Sequence, residues 1–201
     1  MHSAWQSWLT SLADDAAAAL GAAHAYAELD DDGRDAWLDA LAEDAPRLEV
    51  PRVALYGPLL AVEADPARRV RMGLALGDQA RDALMTSGRI RTLRGIGAGR
   101  IRVAVLVRPL YLKFVRILTC RYSPDDGFSW ARHEPIATES DAPPEGSAID
   151  GVTLEATPSK PVIEELAHAI LAQKRRGEDP PEALYSFADL FDAHVDSDCV
   201  E

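Results

Sequence analysis

The chain has 201 residues, with 21 Lys and Arg against 33 Asp and Glu, and a net charge of −12 at pH 7. A hydrophobic content of 47% excludes a wholly disordered chain, and the length predicts one domain or two small ones. So acidic a chain excludes a protein that coats nucleic acid or anionic membrane with its whole surface. Since no apolar run reaches the roughly 20 residues that span a bilayer, we expect no membrane partner.

The first 87 residues predict an acidic, helical region. Apolar side chains recur there at three- and four-residue spacing, which is the period of an amphipathic helix. The predicted helices cover residues 3–28, 33–44, 52–62 and 66–87. We expect Gly21 to weaken the first helix and Gly57-Pro58 to kink or shorten the third. Asp65 followed by Pro66 is a strong start signal for the fourth.

Two groups of apolar side chains in this region are candidates for a core or a partner surface. The predicted inner face of the fourth helix consists of Val70, Leu74, Leu76, Ala80 and Leu84. In the first helix, Trp5 and Trp8 are open to two interpretations. They form the core of a helical hairpin with Trp37, or they are exposed anchors for a partner, since tryptophan is enriched in binding hot spots.

Residues 88–137 differ in character from the helical region. The glycine-rich residues 88–100 are predicted to form a flexible connector. Alternating β-branched side chains over 101–107 predict a strand. Residues 110–137 predict a hairpin whose turn is Ser123–Gly127, because proline presets one dihedral there and glycine accepts a positive φ.

The remaining residues complete an α+β prediction. Residues 138–160 are polar and predict a long loop with one short strand at 152–156, followed by helices over 161–176 and 180–193. Helices, then strands, then helices is the order of an α+β protein and not of alternating βαβ units. We therefore predict N-terminal helices, a small antiparallel sheet with a hairpin at 110–137, and C-terminal helices packed on that sheet. The predicted regions are 1–87 and 88–201, either separate or one continuous domain.

The charge is unevenly distributed along the chain. Residues 83–124 contain nine basic residues and no acid, a net charge of +9, so the rest of the chain carries −21. Two interpretations are open. The arginines of the strands pair internally with acids of the helical half, or they remain free to bind an anion or an acidic partner. The candidate anion- or partner-binding residues are Arg91, Arg94, Arg100 and Arg102.

Motifs that indicate catalysis are weak. Gly95–Gly99 lacks the strand–loop–helix order of a dinucleotide site. Cys120 and His133 lie on opposite arms of the predicted hairpin, where a thiolate pair can form, but we favour a buried thiol and a loop histidine. Asp30–Asp32 is better explained by helix capping than by a divalent cation. No cysteine or histidine pair has zinc spacing, so we expect no metal and no other cofactor.

The N-terminal residues and the composition bear on the source and the compartment. The chain lacks the basic segment of a signal peptide and carries Asp14 and Asp15 in its first apolar stretch, which predicts a cytoplasmic protein. Its excess of arginine over lysine, 18 to 3, is typical of a GC-rich bacterial genome.

The sequence leaves three functional hypotheses and does not decide between them. The first is a non-enzymatic bacterial interaction or regulatory protein that binds another protein through a helical surface and a charged face. The second is a binder of a phosphate-bearing ligand, or less favourably of nucleic acid, through the arginine-rich strand face. The third is an enzyme whose site is dispersed and forms no motif. The lack of catalytic motifs favours the first, and the oligomeric state stays open.

Overall fold

The computed structural model describes residues 4–77 and 89–195, and within them the predicted α+β class is confirmed. These residues form seven α-helices, a five-stranded antiparallel sheet and a separate two-stranded sheet. The chain divides into two compact units. The first contains Met1–Gly88, Pro109–Val115 and Pro135–Glu139, and the second contains Arg89–Arg108, Arg116–Glu134 and Ser140–Glu201.

Five helices precede the sheet. They are α1 (Ala4–Ser11), α2 (Ala16–Ala27), α3 (Asp31–Asp44), α4 (Arg52–Leu60) and α5 (Pro66–Leu76). The single helix predicted over 3–28 is wrong, because the side chain of Asp15 accepts hydrogen bonds from the N–H groups of Ala17 and Ala18 and starts a new helix there. Gly21 lies inside α2 and does not divide it.

Helix α5 begins as predicted and presents a different face to the core. Asp65 caps it by accepting from the N–H of Arg68. Met72 and Leu76 are buried, whereas Val70 and Leu74 are 61% and 71% exposed, so the predicted inner face is wrong for those two residues. Residues two positions apart lie about 200° apart around a helix, so burying one pair turns the other outward. The predicted extension to residue 87, with Ala80 and Leu84, lies outside the described residues.

The strands of the main sheet are β1 (Arg91–Ile96), β2 (Arg102–Tyr111), β3 (Phe114–Ser123), β4 (Gly127–Thr138) and β7 (Glu155–Ala156). Their order across the sheet is β4-β3-β2-β1-β7. The predicted hairpin turn is confirmed, and Gly127 has a φ of +84°. The prediction of a flexible connector is wrong over β1, which pairs with β2 in the register Leu93–Val105 and Arg94–Ala104.

The chain after β4 contains short strands and two further helices. Strands β5 (Ala148–Ile149) and β6 (Val152–Thr153) form the two-stranded sheet, so the loop predicted over 138–160 is partly structured, and β6 and β7 occupy its predicted strand region. Helix α6 (Ser159–Arg175) matches its prediction closely. A 3-10 helix over 182–187 precedes α7 (Ala188–Val195), where one continuous helix was expected.

Each unit has its own core. In the first unit, side chains from α1–α5 surround buried residues such as Leu9, Tyr26 and Leu55. In the second unit, α6 and α7 cover one face of the sheet, where Leu106 and Tyr122 are buried. The adjacent β2 residues Val103 and Val105 are also fully buried. The segment with β6 lies against the sheet at Gly95, which is the register partner of Val103. The C-terminal helices therefore pack on the sheet as predicted.

Candidate interaction surfaces

Two of the predicted anion-binding arginines bind an internal carboxylate. Glu165 on α6 accepts hydrogen bonds from Arg94 at 2.6 Å and from the hydroxyl of Tyr122 at 2.9 Å, and it forms an ion pair with Arg102 at 2.5 Å. The charged side chains are only 19–26% exposed. This cluster ties α6 to β1, β2 and β3, so Arg94 and Arg102 already have an anion within the second unit.

The other two predicted arginines have separate partners. Arg100 is 81% exposed and pairs with Asp125 in the β3–β4 turn at 2.7 Å. Arg91 donates a long hydrogen bond of 3.4 Å to the carbonyl of Pro143, and its buried Nε has no partner among the described residues. The structure therefore brings Arg94 and Arg102 together and places Arg91 and Arg100 elsewhere.

Most other basic residues within 83–124 also form ion pairs or hydrogen bonds. The further ion pairs are Arg108–Asp189, Lys113–Asp14 and Arg121–Asp150, and Arg116 donates to the carbonyl of Ser186. Each pair lies within one unit, so the arginines of the second unit pair with carboxylates of that unit and not with the acids of the N-terminal helices. The arginine-rich strands are therefore largely neutralised locally.

The predicted partner anchors Trp5 and Trp8 lie in an aromatic cluster of the first unit. The ring centroids of Trp5 and Trp8 are 5.3 Å apart. The ring centroid of Trp37 lies 5.5 Å from that of Trp5 and 5.9 Å from that of Trp8. Tyr26 joins the cluster at 6.1 Å from Trp37, and the indole N–H of Trp5 donates to Asp44 at 3.0 Å. Both tryptophans are half-buried, so most of their surface serves packing among α1, α2 and α3.

The sequence did not predict the surface formed by α3 and α5, which we call the α3–α5 surface. Val70 and Leu74 are exposed on successive turns of α5, and three carboxylates of α3 at four-residue spacing contact the arginines of the same helix. Those carboxylates belong to Asp31, Asp35 and Asp39, whose side chains are 83%, 54% and 74% exposed. The sequence of α5 did indicate an exposed apolar face, because its apolar residues lie on two opposite sides of the helix and only one side packs against the core.

The arginines of α5 contact the carboxylates of that surface. Arg68 binds Asp31 at 2.7 Å, and Arg71 bridges Asp35 and Asp39. Arg69 donates to the carbonyls of Leu60 and Glu63 at the end of α4. Two guanidinium groups of α5 therefore contact three carboxylates of α3, and the exposed residues of α3 keep an excess of negative charge.

A buried carboxylate holds α2, α4 and α5 together in the first unit. The side chain of Glu63 is 0% exposed and accepts from the hydroxyl of Tyr26 at 2.6 Å, the N–H of Asp65 at 2.7 Å and Nε of Arg68 at 2.8 Å. Arg34 lies 3.6 Å away and stacks on the ring of Tyr26. Burial alone would raise the pKa of Glu63, but these donors outweigh it and lower the pKa to about 2.

The Cys120 and His133 pair does not form an activated nucleophile. Complete burial raises the pKa of the Cys120 thiol to about 12, so the group stays protonated at neutral pH. Burial and the nearby charge of Arg116 lower the pKa of His133 to about 4. The Sγ atom of Cys120 contacts the carbonyl of Ala104, and His133 packs edge-on against Phe187. Both residues therefore serve packing in the second unit.

Comparisons with protein-family models, with curated proteins and with solved structures find no match to this chain. Within residues 4–77 and 89–195, no helix combines the length and the apolar character needed to cross a membrane. Over the same ranges, no cluster of three or more His, Cys, Asp or Glu side chains can hold a metal ion.

Proposed function

We propose that this protein is a non-enzymatic interaction protein of the bacterial cytoplasm, and that its α3–α5 surface binds a basic amphipathic helix of a partner protein. The observation that carries the proposal is the exposure of Val70 and Leu74 on successive turns of α5. Two large aliphatic side chains one turn apart match the apolar spacing with which amphipathic helices dock.

The apolar character of the exposed α5 face supports this proposal. Pro66 and Ala67 are also exposed, and the helical period places them on the same side of α5 as Val70 and Leu74. The basic side chains of α5 do not cover it, because Arg68 and Arg71 are directed to α3 and Arg69 to carbonyl oxygens of the preceding helix. A partner can therefore bury this face without removing an unpaired charge from water.

The charge of α3 selects the kind of partner. Asp31, Asp35 and Asp39 of α3 are exposed, and they outnumber Arg68 and Arg71, the two arginines of α5 that contact them. A helix with leucines on one face and lysines or arginines at its edge satisfies both parts of the surface. An acidic helix would meet like charge, which costs binding free energy and slows association.

The experiment measures binding of a short synthetic helix that has leucines on one face and lysines on the other, labelled for fluorescence anisotropy. We expect saturable binding to the full chain and, for Val70→Ser with Leu74→Ser, a loss of affinity of about tenfold or more. Both residues are exposed, so the double variant is expected to fold normally, and circular dichroism checks this. The matched control is Ile96→Ser, which removes a 64% exposed aliphatic side chain from the second unit.

A second peptide and a second variant test the charge complementarity. A leucine–glutamate helix of the same length should bind at least about tenfold more weakly than the leucine–lysine helix. Asp35→Asn with Asp39→Asn should reduce the salt dependence of leucine–lysine binding, because exposed charges are screened by salt. Equal affinity of the two peptides, or wild-type affinity of the Val70→Ser, Leu74→Ser variant, would contradict the proposal.

A further inference from the structure

We infer that the second unit binds a terminal phosphate group in the groove between the start of β1 and the N-terminus of α6, a site independent of the proposed α3–α5 surface. The groove has a volume of about 360 Å³. Its lining includes Arg89, Arg91, Thr92, Thr157, Pro158 and Ser159. Small-molecule sites span roughly 300–1,000 Å³, so the groove has room for a compact ligand.

The N-terminus of α6 opens into this groove without a cap. The residue before the helix is Pro158, which makes no side-chain capping hydrogen bond. The first turn contains no acidic residue, so no side chain of the helix itself neutralises the positive end of its dipole. The backbone N–H groups of Ser159 and Lys160 at the start of the helix therefore remain available to an anion.

Thr92 supplies an independent observation that points to a ligand. The residue is only 4% exposed, and its hydroxyl has no hydrogen-bond partner among the described residues. Its register partner on β2 is Leu106, which lies in the core beneath α6, so the side chain of Thr92 is on the helix side of the sheet. Buried hydroxyls in native proteins are almost always hydrogen-bonded, and a ligand oxygen in the groove would complete this one.

The backbone holds Thr92 and the helix start together. The N–H of Thr157 donates to the carbonyl of Thr92 at 3.1 Å, two residues before α6 begins. This hydrogen bond joins the segment before α6 directly to β1. Thr92 and Ser159 therefore line one groove whose backbone geometry exists before any ligand arrives, which lowers the entropic cost of binding.

The charge of the lining favours an anion. Arg89 is exposed and, within the part of the chain that the structure describes, no carboxylate pairs with it, in contrast to Arg94 and its partner Glu165. None of the lining residues is acidic. A terminal phosphate offers up to two negative charges and three acceptor oxygens, which match the helix amides, the threonine hydroxyl and a guanidinium group.

The experiment titrates the isotope-labelled full chain with inorganic phosphate and with phenyl phosphate and follows the backbone amides by NMR. We expect saturable shifts of Thr92, Ser159 and Lys160 with both probes. Thr92→Val should weaken binding by at least about tenfold, and Arg89→Ala should do the same. Valine has nearly the same shape as threonine, and the lost hydroxyl has no protein partner, so Thr92→Val should unfold at the wild-type temperature or above.

The control is Arg100→Ala, which removes a guanidinium group bound to Asp125 and should leave phosphate binding unchanged. Absence of saturable shifts at the three amides would overturn the inference, and so would wild-type affinity in a folded Thr92→Val variant. A dinucleotide included as a third probe should bind more weakly than phenyl phosphate. Tighter dinucleotide binding would reassign the groove to nucleic acid and overturn the choice of a terminal phosphate.

Discussion

Glu63 shows how one buried side chain stabilises the first unit. It is surrounded by donors from three different parts of the chain, of which Tyr26 lies 37 residues away in sequence. Removing the charge of Glu63 leaves Arg68 with the exposed Asp31 as its remaining carboxylate partner, and breaking the buried half of such a network is costly. We expect Glu63→Gln to lower the free energy of unfolding by about 3–5 kcal/mol at pH 7, measured by chemical denaturation. The control is Glu49→Gln, at an exposed residue, with an expected change within about 0.5 kcal/mol.

The lowered pKa of Glu63 also predicts how the free energy of unfolding falls at acid pH. The pKa of Glu63 is about 2 in the folded protein against an ordinary value of 4.5, so the unfolded chain binds its proton first as the pH falls. The stabilisation is complete above about pH 4.5 and is lost as the pH approaches 2. The difference in unfolding free energy between wild type and Glu63→Gln should therefore shrink over this range. A difference that is constant from pH 7 to pH 3 would contradict this assignment.

The cluster around Glu165 gives a second prediction, for the second unit. Glu165→Gln removes the carboxylate shared by Arg94 and Arg102 and leaves two half-buried guanidinium groups facing each other. We expect a loss of about 2 kcal/mol in the free energy of unfolding. Asp125→Asn is the matched control, because its pair with Arg100 is largely exposed and should contribute less than about 1 kcal/mol. Equal losses in the two variants would show that Glu165 has no special role.

Sequence reasoning succeeded at this scale where a signal is local. Asp65 and Pro66 correctly predicted the start of α5, and Gly127 has the positive φ that the predicted turn requires. It could not identify Glu63 or Glu165 as anchors. Their partners come from distant elements, and no spacing along the chain distinguishes these two glutamates from exposed ones.

At the scale of elements, strand β1 shows why a glycine-rich segment need not be a flexible connector. Gly95 is required where β6 crosses the sheet, because a Cβ atom there would lie 2.3 Å from the carbonyl oxygen of Thr153 and 2.5 Å from Cγ1 of Val152. Glycine therefore permits a close approach of two backbones within the second unit. From sequence alone, the same residue suggested a loop.

This close approach can be tested by one substitution. Gly95→Ala should lower the free energy of unfolding by about 1–3 kcal/mol, because the added methyl group collides with backbone and side chain of the covering segment. Gly21→Ala provides the opposite control, since no atom lies within 4 Å of the added Cβ inside α2. It should raise stability by about 0.5–1 kcal/mol. Thermal and chemical denaturation measure both, and a neutral Gly95→Ala would mean that the segment lies further from the sheet.

Helix α5 explains why the exposed apolar surface was missed. Its apolar residues occupy two opposite faces, so periodicity alone did not indicate which face is buried. In the structure, Met72 and Leu76 are buried, and Arg68 and Arg71 contact α3. Pairing between helices is a tertiary property, and the pattern within one helix does not contain it.

At the scale of the whole molecule, the charge pattern of the sequence has two different outcomes. The segment with nine basic residues mostly pairs with carboxylates inside its own unit, and its strand arginines fasten the sheet to α6. The acids of α3 exceed their basic partners and remain exposed. The order of helices and strands predicted the α+β class, whereas the choice between internal pairing and an open basic face required three-dimensional contacts.

The proposal places the partner-binding surface on α3 and α5 and gives Arg94 and Arg102 a structural role. Backbone-amide NMR mapping of the leucine–lysine helix on the full chain tests it most directly. We expect shifts concentrated at residues 31–39 and 66–76, with the amides of Arg94 and Arg102 unchanged. Shifts confined to β1 and β2, or scattered evenly over both units, would contradict it.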